Sequence, residues 1–112
     1  MENKFKIKSY IVSDDKPVCF VAEAGSFFNN NVNLAKEYIH LCSEAKVDFF
    51  KTEILHSPDV IMKNTKILLK YPSGKNGKKI ITENYRKFIE RKVMNLDSSQ
   101  KLFEYSKKKK LP

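Results

Sequence analysis

The feature that most constrains the fold is a pair of short apolar segments on either side of one amphipathic segment. Residues 18–22 read Val-Cys-Phe-Val-Ala, an unbroken apolar run typical of a strand covered on both faces in a parallel sheet. Residues 47–50 form a second short run, Val-Asp-Phe-Phe. Together with the segment between them, these runs have the length of one βαβ unit, whose crossover is almost always right-handed. The sequence therefore predicts an α/β fold.

The segment between the two strands predicts a helix. Residues 29–31 are three Asn residues, which favour a helix start. Beyond them, apolar side chains recur every three or four positions, at Leu34, Ala35, Tyr38, Leu41, Cys42 and Ala45. His40 falls on the opposite face with Lys36 and Glu44, so we expect its ring to be solvated and not to bind a ligand.

Charged residues follow both predicted strands. Glu23 comes directly after the first strand and ahead of Gly25, and Lys51 directly follows the second. Because parallel neighbours end at the same edge of a sheet, we expect both side chains at one rim, where α/β folds bind ligands. Glu53 and His56 belong to the same rim by position and are weaker candidates.

The amino-terminal residues predict a hairpin strand ahead of this unit. Apolar side chains at Phe5, Ile7 and Ile11 alternate with lysines, a period of two that suits a strand with one solvated face. Residues 13–17, Ser-Asp-Asp-Lys-Pro, then predict a turn. We therefore expect a hairpin strand and its turn at residues 4–17.

The second half of the chain has weaker patterns. Residues 58–62 suit a helical turn, and residues 71–79, rich in Gly, Lys and Pro, predict a loop. A helix is predicted over residues 81–93 from the spacing of Tyr85, Phe88, Ile89 and Val93.

Residues 96–100 predict the start of a last helix, with Asp97 or Ser98 as its cap and Gln100 completing a capping box. Leu102, Phe103 and Ser106 are expected to face inward, and the lysines of residues 107–110 complement the negative end of the helix dipole.

Size and composition allow one small domain. The chain has 112 residues, of which 41% are hydrophobic. It has no run of about 18 apolar residues and no signal-peptide pattern, so we expect a cytoplasmic protein without a membrane span. Cys19 and Cys42 lie in apolar segments without a metal-ligand spacing, and we expect reduced core thiols.

Charge separates the two halves and raises an alternative function. Residues 57–112 carry 15 Lys and Arg against 5 Asp and Glu, and the net charge of the whole chain is +9. A basic nucleic-acid-binding module is therefore one alternative, suggested by the lysines of residues 107–110 beside Tyr105. Lysine far exceeds arginine, and no known module pattern is present, which argues against nucleic acid as a partner.

Several stretches resemble the amino-terminal part of the sialic acid synthase family, which includes N-acetylneuraminate, legionaminate and pseudaminate synthases. Residues 20–25 read Phe-Val-Ala-Glu-Ala-Gly, are preceded by Lys-Pro-Val at 16–18, and are followed by an Asn-rich loop. Ala35-Lys36 and residues 44–51 continue the resemblance, which runs from about residue 4 to 112 and includes the Leu-Asp-Ser start of the last helix.

The resemblance implies a fold and an activity. The fold is the first two to three β/α units of a (β/α)8 TIM barrel, preceded by an N-terminal β-hairpin. The activity is the condensation of phosphoenolpyruvate with an N-acetylated hexosamine, such as N-acetylmannosamine, to a nine-carbon sugar acid and phosphate, with a divalent metal, Mn or Mg. Glu23 would orient the sugar or move a proton, while Lys51 and Glu53 would bind substrate, Lys51 holding phosphoenolpyruvate.

The chain departs from the family pattern in two places. Residues 27–30 read Phe-Phe-Asn-Asn where the family has Asn-His-Asn-Gly, and residues 51–53 read Lys-Thr-Glu where it has Lys-Phe-Gln. We expect Phe27 and Phe28 to pack a loop against the barrel mouth. Glu53 places a negative charge near a site for an anion.

By this resemblance, residues 1–112 form one partial barrel domain, with the barrel starting at residue 18. The metal ligands and the C-terminal antifreeze-like domain of the family are absent from it. We therefore expect no synthase activity from this chain alone. It is expected to form a homo-oligomer or to assemble with a partner chain that completes the barrel, and a non-catalytic remnant of that kind is the third functional alternative.

Overall fold

The computed structural model describes residues 4–26 and 28–112. Its strands and helices follow in the order β1 (Lys4–Ile7), β2 (Tyr10–Ser13), β3 (Val21–Gly25), α1 (Val32–Glu44), β4 (Phe49–Thr52), a 3-10 turn (Pro58–Val60), β5 (Leu68–Ser73), a second 3-10 turn (Lys75–Gly77), β6 (Lys79–Asn84), α2 (Tyr85–Glu90) and α3 (Leu96–Lys108). These elements form a mixed α/β structure, as predicted. Within these residues, no helix is both long and apolar enough to cross a membrane.

Strands β1 and β2 form an antiparallel hairpin in which Ile7 lies opposite Tyr10. The prediction of one strand through residue 11 was wrong, because the chain turns back at Lys8, which has a positive φ of 53°. The turn predicted over residues 13–17 exists as well, since Lys16 N–H donates to the Ser13 carbonyl at 3.2 Å. That second turn leads from the hairpin towards β3.

Strands β3 and β4 are parallel neighbours, as predicted, and α1 connects them. The register places Val21 opposite Phe49 and Glu23 opposite Lys51. Asp48 fixes the start of the pairing, because its carboxylate accepts from Phe20 N–H at 2.8 Å.

The expectation that residues 18–22 are covered on both faces was wrong. Val18 is 74% exposed and Phe20 is 66% exposed, and β3 begins only at Val21. The reason is that β3 and β4 form a two-stranded sheet in the described part of the chain, with helices packed on one face.

Helix α1 confirms the predicted periodicity. Asn31 caps it by accepting from the N–H groups of Asn33 and Leu34, and Ala35 and Ile39 are buried. Leu41, which the spacing placed on the inner face, is exposed because it lies towards the open edge of the sheet.

The second half contains an antiparallel β5–β6 hairpin that the sequence did not predict. The loop predicted over residues 71–79 is confined to the tip of this hairpin, where Gly74, Asn76 and Gly77 all have positive φ. The helix predicted from residue 81 begins only at Tyr85, because the β-branched run Ile-Ile-Thr at 80–82 continues β6. The predicted helical turn near residue 58 is present as the first 3-10 turn.

Helix α3 starts where predicted but has a different cap. Asn95, and not Asp97 or Ser98, accepts from Ser98 N–H at 2.8 Å. Gln100 donates to Glu104 at 3.0 Å and so does not complete a capping box. Of the three residues expected to face inward, Phe103 is exposed, Leu102 is buried and Ser106 is partly buried.

The core lies between α1, α3 and one face of the β3–β4 sheet. Its buried members are Phe28, Ala35, Ile39, Met94, Leu102 and Leu111. Phe50 of β4 and Cys42 of α1 pack against this cluster. Cys42 and Cys19 are both free, and burial raises the pKa of each thiol.

Replacing Met94 by Ala tests this core. Met94 has no exposed surface, so Met94→Ala should leave a cavity and lower the free energy of unfolding by about 2–5 kcal/mol. Met62 is 77% exposed, and Met62→Ala should change that energy by less than about 0.5 kcal/mol. Urea unfolding followed by circular dichroism measures both, and equal losses would contradict this description of the core.

Candidate functional site

The two charged residues predicted at the strand ends form an ion pair. Lys51 Nζ lies 3.0 Å from Glu23 Oε1, and both side chains are about half exposed. Side chains alternate along a strand, and Phe50 packs into the core under α1. Lys51 and its partner Glu23 therefore project from the sheet face opposite α1.

The apolar neighbours on this second face lie at the other end of the strands. Phe49 shares the face with Lys51, and its ring meets the ring of Tyr10 edge-on at 5.7 Å between centroids. The β1–β2 hairpin thus contacts the amino-terminal part of this face through Tyr10. The carboxyl-terminal half carries the charges, as expected for a ligand site of an α/β fold.

A β-bulge near Gly25 ends the pairing of the two strands. The Gly25 carbonyl accepts from Thr52 Oγ1 at 2.6 Å and from Glu53 N–H at 3.1 Å, which ties the two strand ends together. Gly25 has a φ of 53°, a conformation that side chains with a Cβ rarely adopt. The chain can therefore leave β3 sharply at this point.

A cleft of about 510 Å³ lies at these strand ends. Glu23 and Glu53 line one part of it, and Tyr85 and Phe88 of α2 line another. The two aromatic rings are stacked with 6.5 Å between their centroids. The cleft therefore combines carboxylates with an aromatic wall.

Arg86 of α2 holds the loop that follows β4. Its guanidinium donates to the carbonyls of Pro58 at 3.1 Å and Ile61 at 2.5 Å, and it pairs with the Asp59 carboxylate at 2.8 Å. The hydrogen bond from Arg86 lowers the pKa of Asp59. Because Ile61 lines the cleft, this contact shapes one of its walls.

Lys92, just after α2, is a site residue that sequence reasoning missed. It is only 5% exposed, and its ammonium donates to Asn29 Oδ1 at 2.8 Å and to the Ser26 carbonyl at 3.2 Å. The ammonium also lies 4.6 Å from the centroid of the Phe88 ring. Burial, with a smaller contribution from Arg91, lowers the pKa of Lys92. In the sequence it follows another cation in a basic stretch, so no local signal marks it as buried.

Comparisons with known proteins bear on the fold. No protein-family model matches the chain, and no curated protein matches its sequence. Among solved structures, it is similar to N-acetylneuraminic acid (sialic acid) synthetase from Leptospira borgpetersenii serovar Hardjo-bovis, in complex with citrate. The TM-score is 0.72 and the identity 20%, over 99% of this chain and 33% of that one. It is also similar to the spore coat polysaccharide biosynthesis protein SpsE of Bacillus subtilis, with a TM-score of 0.62 and 19% identity over 96% of this chain and 26% of that one.

The chain has the fold of part of a sialic acid synthetase. The structural neighbours are thus those that the sequence resemblance predicted. The chain spans about a third of the length of the sialic acid synthetase and about a quarter of that of the spore coat protein.

The predicted site residues are only partly brought together. Glu23 and Lys51 are in contact, and Glu53 lines the same cleft as Glu23. His56 does not line this cleft, since its Nδ1 lies 3.1 Å from the Met94 carbonyl. His40 is half exposed, as expected, and its ring lies between Glu44 and Lys109.

Phe28, one of the two phenylalanines expected to pack a loop against the barrel mouth, instead packs in the core. Phe28 is buried in the core with Ala35 and Ile39, under the sheet and away from solvent. Phe27 lies outside the described residues.

The described residues provide no ligand cluster for the divalent metal that the resemblance implies. Across residues 4–26 and 28–112, no three His, Cys, Asp or Glu side chains come together as a metal site. Glu23, the carboxylate at the rim, is paired with Lys51.

Glu83 of β6 connects α2 to the β5–β6 hairpin. Its carboxylate accepts from the guanidinium of Arg91 and from the hydroxyl of Tyr71. Both hydrogen bonds lower the pKa of Glu83, to about 2, and the bond from Arg91 is the larger cause. The aromatic wall of the cleft is thus attached to the hairpin through this carboxylate.

The Glu83 carboxylate should make stability depend on pH. Its folded pKa lies below its ordinary value of 4.5, so ionised Glu83 stabilises the fold above pH 4.5, and this contribution is lost as the pH falls towards 2. Glu83→Gln should therefore lower the urea midpoint at pH 6, and the difference from the unmodified chain should shrink towards pH 2. Tyr71→Phe should produce a smaller change of the same kind. A pH-independent difference for Glu83→Gln would contradict the assignment.

Proposed function

We propose that this chain forms one corner of the active site of a sugar-acid synthase. The reaction class is the condensation of phosphoenolpyruvate with an N-acetylated hexosamine, which gives a nine-carbon sugar acid and phosphate. In this proposal Lys51 binds a negatively charged group of phosphoenolpyruvate. Glu23 accepts hydrogen bonds from sugar hydroxyls or moves a proton.

The observation that carries the proposal is the Glu23–Lys51 pair at the shared carboxyl end of two parallel strands. In barrel folds of this kind, active sites are built at that end of the strands. The likeness in fold to a sialic acid synthetase, whose structure holds citrate, supports the same reaction class.

The ion pair can open for a ligand at little cost. Both partners are about half exposed, and such pairs contribute roughly 0–1 kcal/mol in water. Phosphoenolpyruvate carries a phosphate as well as a carboxylate, so it brings more negative charge to Lys51 than the single Glu23 carboxylate does. Lys51 is therefore held at the rim in the absence of substrate and remains available when substrate arrives.

A further contact supports the barrel architecture. Backbone N–H groups alternate between the two edges of a strand, and Phe49 N–H donates to the Phe20 carbonyl on the β3 side. Phe50 N–H donates to the Pro112 carbonyl at 2.8 Å. Residue 112 thus lies along the other edge of β4. We propose that a third parallel strand pairs along this edge of β4, as in a (β/α)8 barrel.

Completion of the barrel by further strands is part of this proposal. Val21, on the sheet face opposite α1, is 54% exposed. Val18 and Phe20, just before it in the chain, are exposed to an even greater extent. An apolar surface of this kind suits burial under neighbouring strands. A second copy of this chain or a partner chain would supply them, and the chain alone should not release phosphate from phosphoenolpyruvate with any hexosamine.

The described residues do not favour the nucleic-acid alternative. The ammonium of Lys107 lies 4.7 Å from the centroid of the Phe103 ring, and that of Lys109 lies 5.7 Å from the centroid of Tyr105. These lysines pack along aromatic rings of their own helix at its negative end. Salt-dependent binding of an oligonucleotide would instead support a nucleic-acid-binding function.

Removal of the Lys51 ammonium tests the assigned role. Lys51→Ala should weaken binding of phosphoenolpyruvate about tenfold or more, since a hydrogen bond to a charged group contributes about 1.5–3 kcal/mol. Binding of N-acetylmannosamine should change less. Both ligands can be titrated while the backbone amide NMR signals of β3 and β4 are followed.

Two matched variants control this measurement. Lys101→Ala removes the same charge from an exposed position of α3 and should leave both affinities unchanged. Glu53→Gln removes a negative charge from the cleft and should strengthen binding of phosphoenolpyruvate. Equal losses for the two ligands in Lys51→Ala would refute the assigned role of this lysine.

The open sheet should make the isolated chain associate. Because Val18, Phe20 and Val21 present apolar surface, we expect oligomers or poor solubility in light scattering coupled to gel filtration. The double variant Val18→Ser and Phe20→Ser should shift the chain towards monomer. A monodisperse monomer of 13.1 kDa from the unmodified chain, with cooperative melting, would overturn this expectation.

A further inference from the structure

The short helix α2 contacts both loops that emerge from the carboxyl ends of β3 and β4. Arg86 in its first turn reaches the loop after β4, at residues 58–61. Lys92, two residues beyond its end, reaches the loop after β3, at Ser26 and Asn29. Because Ser26 and Ile61 both line the cleft, the two cations act on two loops that border the same space.

The Lys92 ammonium links Ser26 and Asn29 in the loop after β3. The Ser26 carbonyl accepts from Asn29 N–H at 3.3 Å and from the Lys92 ammonium at 3.2 Å. The same ammonium binds the side-chain oxygen of Asn29, whose φ is 47°. One buried cation thus holds both ends of a turn that contains a left-handed residue.

Arg86 likewise binds both ends of the turn at residues 58–61, in the loop after β4. The Pro58 carbonyl accepts from Ile61 N–H at 3.0 Å and from the Arg86 guanidinium at 3.1 Å. The guanidinium also binds the Ile61 carbonyl and the Asp59 carboxylate. With its side chain only 14% exposed, Arg86 gives the Pro58 carbonyl a second donor and also satisfies the Ile61 carbonyl just after the 3-10 turn.

We propose that Arg86 and Lys92 are positioning residues that hold these two loops at a fixed separation and so set the width of the cleft. Their role in substrate binding rests on the proposed function, whereas their effect on the loops does not. Loop order is also the property that distinguishes this role from a purely global contribution to stability. A global contribution would change the exchange of all core amides together.

Amide hydrogen exchange, measured residue by residue by NMR on the full chain, tests the proposal without a ligand. Lys92→Met keeps an apolar chain against Phe88 but removes the ammonium. We expect exchange of the Asn29 and Asn31 amides to become about tenfold faster or more, while exchange of the Ile39 amide in α1 and of the Ile61 amide stays unchanged. Arg86→Lys should give the converse result, with faster exchange at Ile61 alone.

Asn29 offers a matched set of substitutions. Asn29→Gly keeps the backbone free to adopt positive φ but removes the oxygen that binds Lys92, so it should loosen the loop as Lys92→Met does. Asn29→Asp keeps an acceptor oxygen and should restore protection. Asn30→Gly, at a neighbouring residue with a φ of 60°, is the control and should have little effect.

The outcomes separate this proposal from the proposed function. Uniformly faster exchange in Lys92→Met, or equal effects of Asn29→Gly and Asn30→Gly, would overturn the positioning role. If the unmodified chain binds phosphoenolpyruvate, Lys92→Met should weaken that binding about threefold or more, and unchanged affinity would overturn the link between loop order and the cleft. If the unmodified chain does not bind it, the proposed function fails, and the exchange results decide the positioning role alone.

Discussion

The parallel pairing of β3 with β4 is the constraint on which the rest of the structure depends. It sets Glu23 opposite Lys51, and any shift by one residue would turn one of the two charges into the core under α1. Polar contacts fix this register at both ends of the pair. Asp48 binds Phe20 N–H at the start, and the Gly25 carbonyl binds the end of β4.

The same register determines where on the sheet the charged side chains lie. On the sheet face opposite α1, the amino-terminal part of the sheet is apolar, and Phe49 there contacts Tyr10 of the hairpin. The carboxyl-terminal half carries the Glu23–Lys51 pair and opens into the cleft. A ligand on this face therefore meets the Glu23–Lys51 pair at the carboxyl end of the strands, next to the loops that α2 holds.

Local patterns were enough to predict some elements, while others depend on distant contacts. Helix α1 and the parallel pair could be predicted because periodicity and strand length are local properties, and Glu23 and Lys51 follow from them. The turn at Lys8 could not, because a single left-handed residue breaks an otherwise regular alternation. The buried state of Lys92 arises from contacts with Ser26 and Asn29, more than 60 residues earlier in the chain. No window of sequence around residue 92 contains that information.

Helix α2 illustrates how such distant contacts replace local stability. It has six residues, well below the length at which an isolated helix is stable in water, and Ile89 is its one buried apolar side chain. Polar links hold it instead, through the Asn84 cap at its start, Arg86 on one loop, Arg91 on Glu83 and Lys92 on the other loop. These contacts act in both directions, since loops that order the helix are ordered by it. A ligand that fixes either loop should therefore also stabilise α2. Binding of the ligand and ordering of the aromatic wall, which belongs to α2, would then be coupled.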